Sequence, residues 1–231
     1  MIENILDNAN CKVKDVNKHL HRWKNWEPNT PFAPIFDVPL WIEDLSTWFI
    51  DDITNLIKEK NPGSYKDTWQ SYNIFNWESE SIKFLKKNIY RIYIDYMGAT
   101  GFVPEHDLWI RGWAVNLKAG EGVPTHSHSY HENTYLSGNI MISSNPTTTD
   151  YAIPHLSTYY GYYKVENKPA RITLFPSWVQ HKVDPISDDE RISIGFDIFT
   201  YYSMEYVGKN KHLDSILNDP IMKAIPLVSS V

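Results

Sequence analysis

The sequence predicts a mainly β protein with flanking helices, an α+β chain whose short strands form a sandwich or barrel. Two amphipathic helical segments lie in the first half of the chain. Five β-branched and aromatic segments, separated by Gly, Pro, Asn and Asp, lie in the second half. Because 231 residues is below the size at which single cores stop growing, we expect one domain over 1–231.

The first part of that domain, 1–107, is predicted to be a leader followed by supporting helices. Residues 1–40 are rich in proline and show no sustained period, which indicates an irregular leader with at most one short helix. From Ile42 to Lys60 apolar residues recur at steps of three and four, which predicts an amphipathic helix. A second helix is predicted from about Ser79 to Met97, with acids at its start and Gly98 at its end.

The strand-rich part, 108–199, is predicted to be the core of the domain, with 200–231 as a C-terminal extension. The predicted strands are Leu108–Leu117, Tyr135–Ser143, Tyr159–Val165, Arg171–Phe175 and Arg191–Phe199. The segment Asn145–Ala170 shows little clear period, and we interpret it as a hairpin insertion over the mouth of the barrel. These segments alone favour a sandwich or barrel.

Charge and composition restrict the partners. The net charge of -6 provides no general attraction to nucleic acid or to anionic lipid, so no duplex nucleic acid and no membrane partner are expected. No apolar run is long enough for a membrane-spanning helix, and residues 1–20 lack the pattern of a secretory signal. A cytoplasmic location is therefore expected, and a homo-oligomer stays open.

Histidines are the candidate metal ligands, because the lone cysteine, Cys11, excludes a cysteine-based zinc cluster. His126 and His128 form an HxH motif and would share one side of an extended segment, although histidines in a polar surface loop are the alternative. His181 follows a strand and a proline turn, and a core histidine bonded to backbone is its alternative. The two motifs together favour a metal site with three nitrogen ligands.

Arg191 belongs to the predicted strand in which residues alternate strictly between two faces. Arg191 and Ser193 share one face, whereas the other face is apolar. A solvated arginine or a surface ion pair is the ordinary explanation of such a residue. Arg191 follows His181 by ten residues, and this spacing favours a functional role for the arginine.

In combination, His126-x-His128, His181 and Arg191 resemble the Fe(II) and 2-oxoglutarate (2OG) dependent oxygenases, whose pattern is HxD/E, a distal His, and Arg or Lys ten residues later. The fragments Leu-Ser-Gly at 136–138, Phe-Pro-Ser-Trp at 175–178 and Arg-Ile-Ser-Ile at 191–194 look like one subgroup of these oxygenases from bacteria and phages. The resemblance covers about 108–199. It implies a double-stranded β-helix, a jelly-roll, cupin-like barrel with the N-terminal helices packed on the sheet.

What the resemblance implies for function is a dioxygenase, an oxidoreductase that uses Fe(II) with 2-oxoglutarate as cosubstrate. It would hydroxylate a small molecule or a protein side chain, with release of succinate and CO2. The implied site residues are His126, His128 and His181 for iron, and Arg191, Ser193, Tyr135 and Asn116 for 2OG. Tyr135 and Asn116 are included because a strand could aim them inward, and core packing is the alternative for Tyr135.

One position departs from the wider pattern, because His128 stands where the family places a metal-binding carboxylate. The resemblance to the subgroup favours three histidines on iron, with Glu132 and Asp150 as alternative carboxylate ligands. Three neutral imidazoles would leave the Fe(II) centre one unit more positive than two imidazoles and a carboxylate. We therefore expect tighter binding of anionic 2OG and weaker binding of iron.

Two other interpretations stay open at this stage. The spacing of Gly120, the HxH motif and Glu132 nearly matches the first motif of the cupins, metalloenzymes that make no succinate, but the second motif lacks its glycines. In that interpretation Glu132 is a fourth ligand and Arg191 has no role. The other interpretation is a non-catalytic barrel module, which would bind neither metal nor 2OG.

Overall fold

The chain is described by a computed structural model over residues 12–13, 18–25, 30–33, 35–60, 72–129, 134–143, 146–154, 161–187, 190–209, 217–219 and 223–227. In those ranges two β-sheets form the body of the protein, so the predicted mainly β class with helices is confirmed. Within the same ranges, the helices are too short or too polar to cross a membrane.

The elements follow the chain in a simple order. The strands are β1 (Lys12–Val13), β2 (Leu20–Asn25), β3 (Phe36–Asp44), β4 (Leu108–Leu117), β5 (Val123–His126), β6 (Leu136–Met141), β7 (Thr148–Ala152), β8 (Tyr162–Glu166), β9 (Arg171–Pro176), β10 (His181–Val183), β11 (Arg191–Thr200) and β12 (Ile225–Pro226). The helices are α1 (Ile50–Lys60), a 3-10 turn (Ile74–Asn76), α2 (Glu80–Thr100) and α3 (Tyr201–Lys209).

The larger sheet has the order β1-β2-β3-β9-β6-β11-β4-β12, and the smaller one has the order β5-β10-β7-β8. All of their pairings are antiparallel, including the long pairing of β4 with β11. Neighbours in each sheet are mostly distant in sequence. Consecutive segments such as β4 and β5 therefore lie in different sheets, and a cavity lies between the two sheets.

Strand β11 shows why the larger sheet has two different faces. Its apolar side chains pack into the main hydrophobic core with α1 and α2; they are Ile192, Ile194, Phe196 and Ile198. The intervening residues face the smaller sheet, and they are Arg191, Ser193, Gly195 and Asp197. The alternation predicted for this strand is confirmed, and it directs its polar residues toward the cavity.

Helix α2 confirms the second predicted helix and extends it to Thr100. The Ser79 side chain accepts a hydrogen bond from the backbone N–H of Ile82, which satisfies one of the free donors at the start of the helix. The helix ends at Gly101, which has a left-handed conformation with φ of 80°, and not at Gly98. A glycine is favoured there because side chains crowd the backbone in this region.

The start predicted for the first helix was wrong, because α1 begins at Ile50 and Ile42 belongs to strand β3. Strand β3 pairs with β2 on one side and β9 on the other, so it is an interior strand of the larger sheet. The predicted irregular leader is likewise corrected, since β1, β2 and β3 lie within 1–44. Pairing with β9, more than a hundred residues away, outweighs the local helical spacing.

The predicted insertion at Asn145–Ala170 is also corrected. Strands β7 and β8 pair with each other, and β7 pairs with β10, so the described parts of this segment belong to the smaller sheet. They form a wall of the barrel and not a hairpin over its mouth.

A glycine in β6 allows the core of the larger sheet to pack closely. A Cβ at Gly138 would overlap the ring of Phe196 and the backbone carbonyl of Thr173. We expect Gly138→Ala to lower the free energy of unfolding by about 1–3 kcal/mol, since overpacking forces neighbours to shift. Urea denaturation measures this change. The matched control is Gly98→Ala in α2, where a Cβ meets no atom within 4 Å, and it should be neutral or slightly stabilising. Equal losses in both variants would contradict the explanation.

Candidate metal and 2-oxoglutarate site

Three histidines converge at one end of the cavity. Strand β5 ends at His126, and β10 begins at His181, which is its partner in the sheet. His128 follows two residues after His126, and its backbone N–H donates to the carbonyl of Ser177 at 2.9 Å. One ring nitrogen from each histidine lies within 4.8 Å of the other two. This arrangement can hold a metal ion with three imidazole ligands.

Hydrogen bonds at the Nδ1 atoms decide which nitrogen each ring presents. Nδ1 of His126 lies 2.9 Å from the carbonyl of Pro124, and Nδ1 of His181 lies 3.1 Å from the carbonyl of Val179. Nδ1 of His128 lies 2.6 Å from Oδ1 of Asp197. Since all three partners are acceptors, each Nδ1 carries the proton and each Nε2 carries the lone pair.

Two of the three Nε2 atoms lie close together. Nε2 of His126 and Nε2 of His128 are 3.2 Å apart, which is repulsive for two lone pairs unless a cation or a proton lies between them. Burial lowers the pKa of His126, and it lowers the pKa of His181 well below the ordinary value. The lowered pKa values keep the rings of His126 and His181 neutral, which is the form that binds a metal. The residues present therefore fit an iron ion.

Asp197 was missed by the sequence predictions. It is 2% exposed and, besides His128, it accepts a hydrogen bond from the hydroxyl of Ser137 at 2.6 Å. The Ser137 hydroxyl lies 2.9 Å from that of Ser177. The signal that could have found it is the alternation along β11, because Asp197 shares the inward face with Arg191.

Arg191 is a buried cation whose contacts are all neutral among the described residues. Its guanidinium donates to the hydroxyls of Ser193 at 3.0 Å and Thr149 at 3.2 Å, and to the sulfur of Met141 at 3.4 Å. Its Nε has no hydrogen-bond partner there, and its exposure is only 2%. Burial lowers the pKa of Arg191 to about 10, so the side chain is still charged at neutral pH. Such a cation suits an anionic ligand.

Arg191 and the three histidines line the same cavity. The cavity is open to solvent at one end, and its lining combines these charged and metal-binding side chains with apolar ones. Its other lining residues are Trp113, Val115, Val123, Gly138, Asn139, Thr149, Val183, Ser193 and Gly195. The cavity therefore brings three histidines that could hold a metal together with a buried arginine that suits an anion.

Some predicted contacts lie elsewhere. Tyr135 does not line this cavity; its hydroxyl lies 3.0 Å from that of Tyr93, on the helix side of the larger sheet. Asn116 points to the opposite side of β4 from Val115 and hydrogen-bonds Glu190. Neither side chain is among the residues that line the cavity with Arg191 and the histidines.

Of the two alternative carboxylate ligands, only Asp150 lies within the described residues. Asp150 is buried, but its carboxylate lies 3.2 Å from Nζ of Lys164 and 2.6 Å from the hydroxyl of Thr148. It is outside the described cluster of histidines. Glu132 lies outside the described residues.

Comparison with protein families matches residues 111–197 to the family described as "Putative 2OG-Fe(II) oxygenase". The match begins on β4 and ends at Asp197, so it spans all three histidines and Arg191. No curated protein matches the chain in sequence at a significant level.

Solved structures with the same fold include several oxygenases. A Pseudomonas putida prolyl-4-hydroxylase has a TM-score of 0.55 at 11% identity, over 87% of this chain and 92% of that one. The epimerase SnoN of nogalamycin biosynthesis, which depends on α-ketoglutarate, has a TM-score of 0.54 at 11% identity, over 83% and 91%. A viral collagen prolyl hydroxylase of Paramecium Bursaria Chlorella virus-1, solved with 2OG, has a TM-score of 0.50 at 13% identity, over 69% and 94%. These likenesses confirm the predicted double-stranded β-helix.

Proposed function

We propose that the chain is a 2OG-Fe(II) oxygenase, as the family match over residues 111–197 indicates, and that it acts as a dioxygenase that hydroxylates a small molecule or a peptide side chain. One cavity supports this proposal best. It is lined by three converging imidazoles and by a buried arginine, and that arginine has no carboxylate partner among the described residues. In this proposal the cosubstrate is 2OG, and the products include succinate and CO2.

The proposed iron ligands are the Nε2 atoms of His126, His128 and His181. Bound Fe(II) supplies the redox chemistry with dioxygen, for which 2OG provides two of the electrons. The chain contributes the three lone pairs and holds each ring in place through the hydrogen bond at its Nδ1. With three ligands from the chain, the metal would remain accessible to the cosubstrate.

The proposed anchor for the far carboxylate of 2OG is Arg191. Its planar guanidinium has paired N–H donors that match the two oxygens of a carboxylate, and Ser193 and Thr149 hold it in position. The bond to a carboxylate would also supply the anionic partner that this buried cation otherwise lacks among the described side chains. Arg191 thereby has a role that the cupin interpretation does not provide.

The apolar walls of the cavity have a separate role in this proposal. Trp113, Val115, Val123 and Val183 line the space between the two sheets. They exclude water from the reacting groups, which strengthens the electrostatic interactions within the cavity and prevents side reactions. Substrate identity is not decided by the fold, since the structural neighbours include prolyl hydroxylases and an epimerase of antibiotic biosynthesis.

Ligand-dependent stabilisation tests the proposed function directly. We expect Mn(II), an inert replacement for iron, together with 2OG to raise the unfolding temperature, because both bind only the folded chain. A ligand at a hundred times its Kd adds about 2.7 kcal/mol to the free energy of unfolding. Differential scanning fluorimetry measures the shift, with succinate and Mn(II) as the control for a weaker anion. A chain that neither Mn(II) nor 2OG stabilises would be a non-catalytic module, and stabilisation by metal alone would favour the cupin interpretation.

A further inference from the structure

Asp197 occupies a position that the proposed ligands do not explain by themselves. Its carboxylate is almost fully buried on the cavity side of β11, and Oδ1 lies 2.6 Å from Nδ1 of His128. The same oxygen accepts the hydroxyl proton of Ser137, at 2.6 Å. Burying a carboxylate costs free energy unless the group is paired or hydrogen-bonded. Its position beside one particular histidine therefore requires an explanation.

The histidine that Asp197 contacts is the one that departs from the wider oxygenase pattern. His128 stands where that pattern has a metal-binding carboxylate, whereas Nδ1 of His126 and Nδ1 of His181 lie against neutral backbone carbonyls. A carboxylate hydrogen-bonded to an imidazole raises the basicity of the other ring nitrogen and fixes its orientation. The carboxylate of Asp197 therefore lies one imidazole away from the proposed metal position.

We propose that Asp197 is a positioning residue for the metal ligand His128, which holds its Nε2 toward the metal and supplies the negative charge that the three-histidine site lacks. This inference rests on the proposed metal site. A carboxylate behind His128 would strengthen the binding of a divalent cation by three neutral ligands. The hydroxyls of Ser137 and Ser177 keep the carboxylate in place, since they form a short chain of hydrogen bonds behind it.

A purely structural role is the competing explanation. Arg111 on β4 is the register partner of Asp197, and it is 3% exposed, with no hydrogen-bond partner described for its Nε and Nη2. Asp197 would then serve only to balance this buried cation. In that case removing its charge would lower the stability of the fold and leave the metal affinity unchanged.

The test is the affinity for Co(II), measured by isothermal titration calorimetry on the full chain. Asp197→Asn keeps the size of the side chain and an oxygen that can accept from Nδ1, but removes the charge. We expect it to weaken Co(II) binding about 10- to 100-fold, the usual effect of losing a partner of a ligating histidine. The visible absorption of bound Co(II) should also change, because it reports the ligand field of the three imidazoles. Folding is checked by circular dichroism.

Two further variants separate the explanations. Asp150→Asn removes another buried carboxylate, one that faces Lys164, and it should leave the Co(II) affinity within about 3-fold of the parent chain. In a His128→Asp background, Asp197→Asn should have little effect on Co(II) affinity, because the imidazole that transmits its charge is gone. An equal loss in both backgrounds, or an unchanged affinity in Asp197→Asn alone, would overturn the inference. Failure of the parent chain to bind Co(II) would instead overturn the proposed metal site.

Discussion

His181→Ala is expected to abolish metal binding and succinate formation. The substitution removes one of three proposed nitrogen ligands, and the remaining two come from a single short segment, His126 and His128. Stable metal sites in proteins generally need three or more protein ligands, so we expect the affinity for Mn(II) or Co(II) to fall by more than about 100-fold. Calorimetric titration measures the affinity, and 2OG-dependent release of succinate measures turnover.

The same variant loses packing as well as a ligand. The ring of His181 lies 5.0 Å from that of Phe175 and 5.9 Å from that of Tyr151, so its removal leaves a small cavity. We expect a moderate loss of stability, about 1–3 kcal/mol, which urea denaturation would quantify separately. The control is His106→Ala, which removes an exposed histidine from the loop before β4 and should keep both metal affinity and turnover. Full metal affinity in His181→Ala would contradict the proposed site.

Arg191→Met is expected to have opposite effects on the free and the 2OG-bound protein. Without 2OG, the parent chain bears the cost of a buried guanidinium bonded only to neutral groups among the described residues. Replacing this cation by an apolar side chain of similar length should leave the stability of the free protein unchanged or raise it. With 2OG and Mn(II), the additional stabilisation by 2OG should disappear.

The magnitude follows from the loss of a buried, charge-assisted pair. Truncating one partner of such a pair costs about 2–5 kcal/mol, which corresponds to roughly 30-fold to several thousand-fold in the Kd for 2OG. Arg191→Lys is the matched variant, because it keeps the charge and loses the planar pair of donors, and it should bind 2OG with intermediate affinity. If Arg191→Met bound 2OG as tightly as the parent chain, the far carboxylate would bind elsewhere. A rise in the unfolding temperature of this variant on addition of Mn(II) would confirm that its fold is intact.

The strands and helices could be predicted where consecutive side chains carry a regular period. The ends of β4 were predicted to the residue, and β11 and α2 were predicted to within a few residues, because their periods of two and about 3.6 are carried by consecutive side chains. The segment 42–49 was assigned to the wrong element for the same reason. Its apolar spacing fits a helix, but Ile42 pairs with Thr173 of β9 and donates its backbone N–H to the carbonyl of His19, so it belongs to the sheet.

In the candidate site too, some residues could be predicted from local patterns and others could not. The residue types and their spacing predict His126, His128, His181 and Arg191 as site residues, and the structure brings all four to one cavity. Tyr135 and Asn116 were named on strand direction alone, and a strand has two faces, so each could equally point away from the cavity, as it does.

Features that depend on neighbours along the chain could be predicted from the amino-acid order; they are the β class, the alternation of β11, the candidate ligands and the arginine. The pairing of His126 with His181 across two strands could not be predicted in this way, and neither could the contact of Asp197 with Nδ1 of His128, 69 residues away in sequence. Such contacts arise when distant strands align in a sheet, and that alignment is set by burial of the whole core and not by any local pattern.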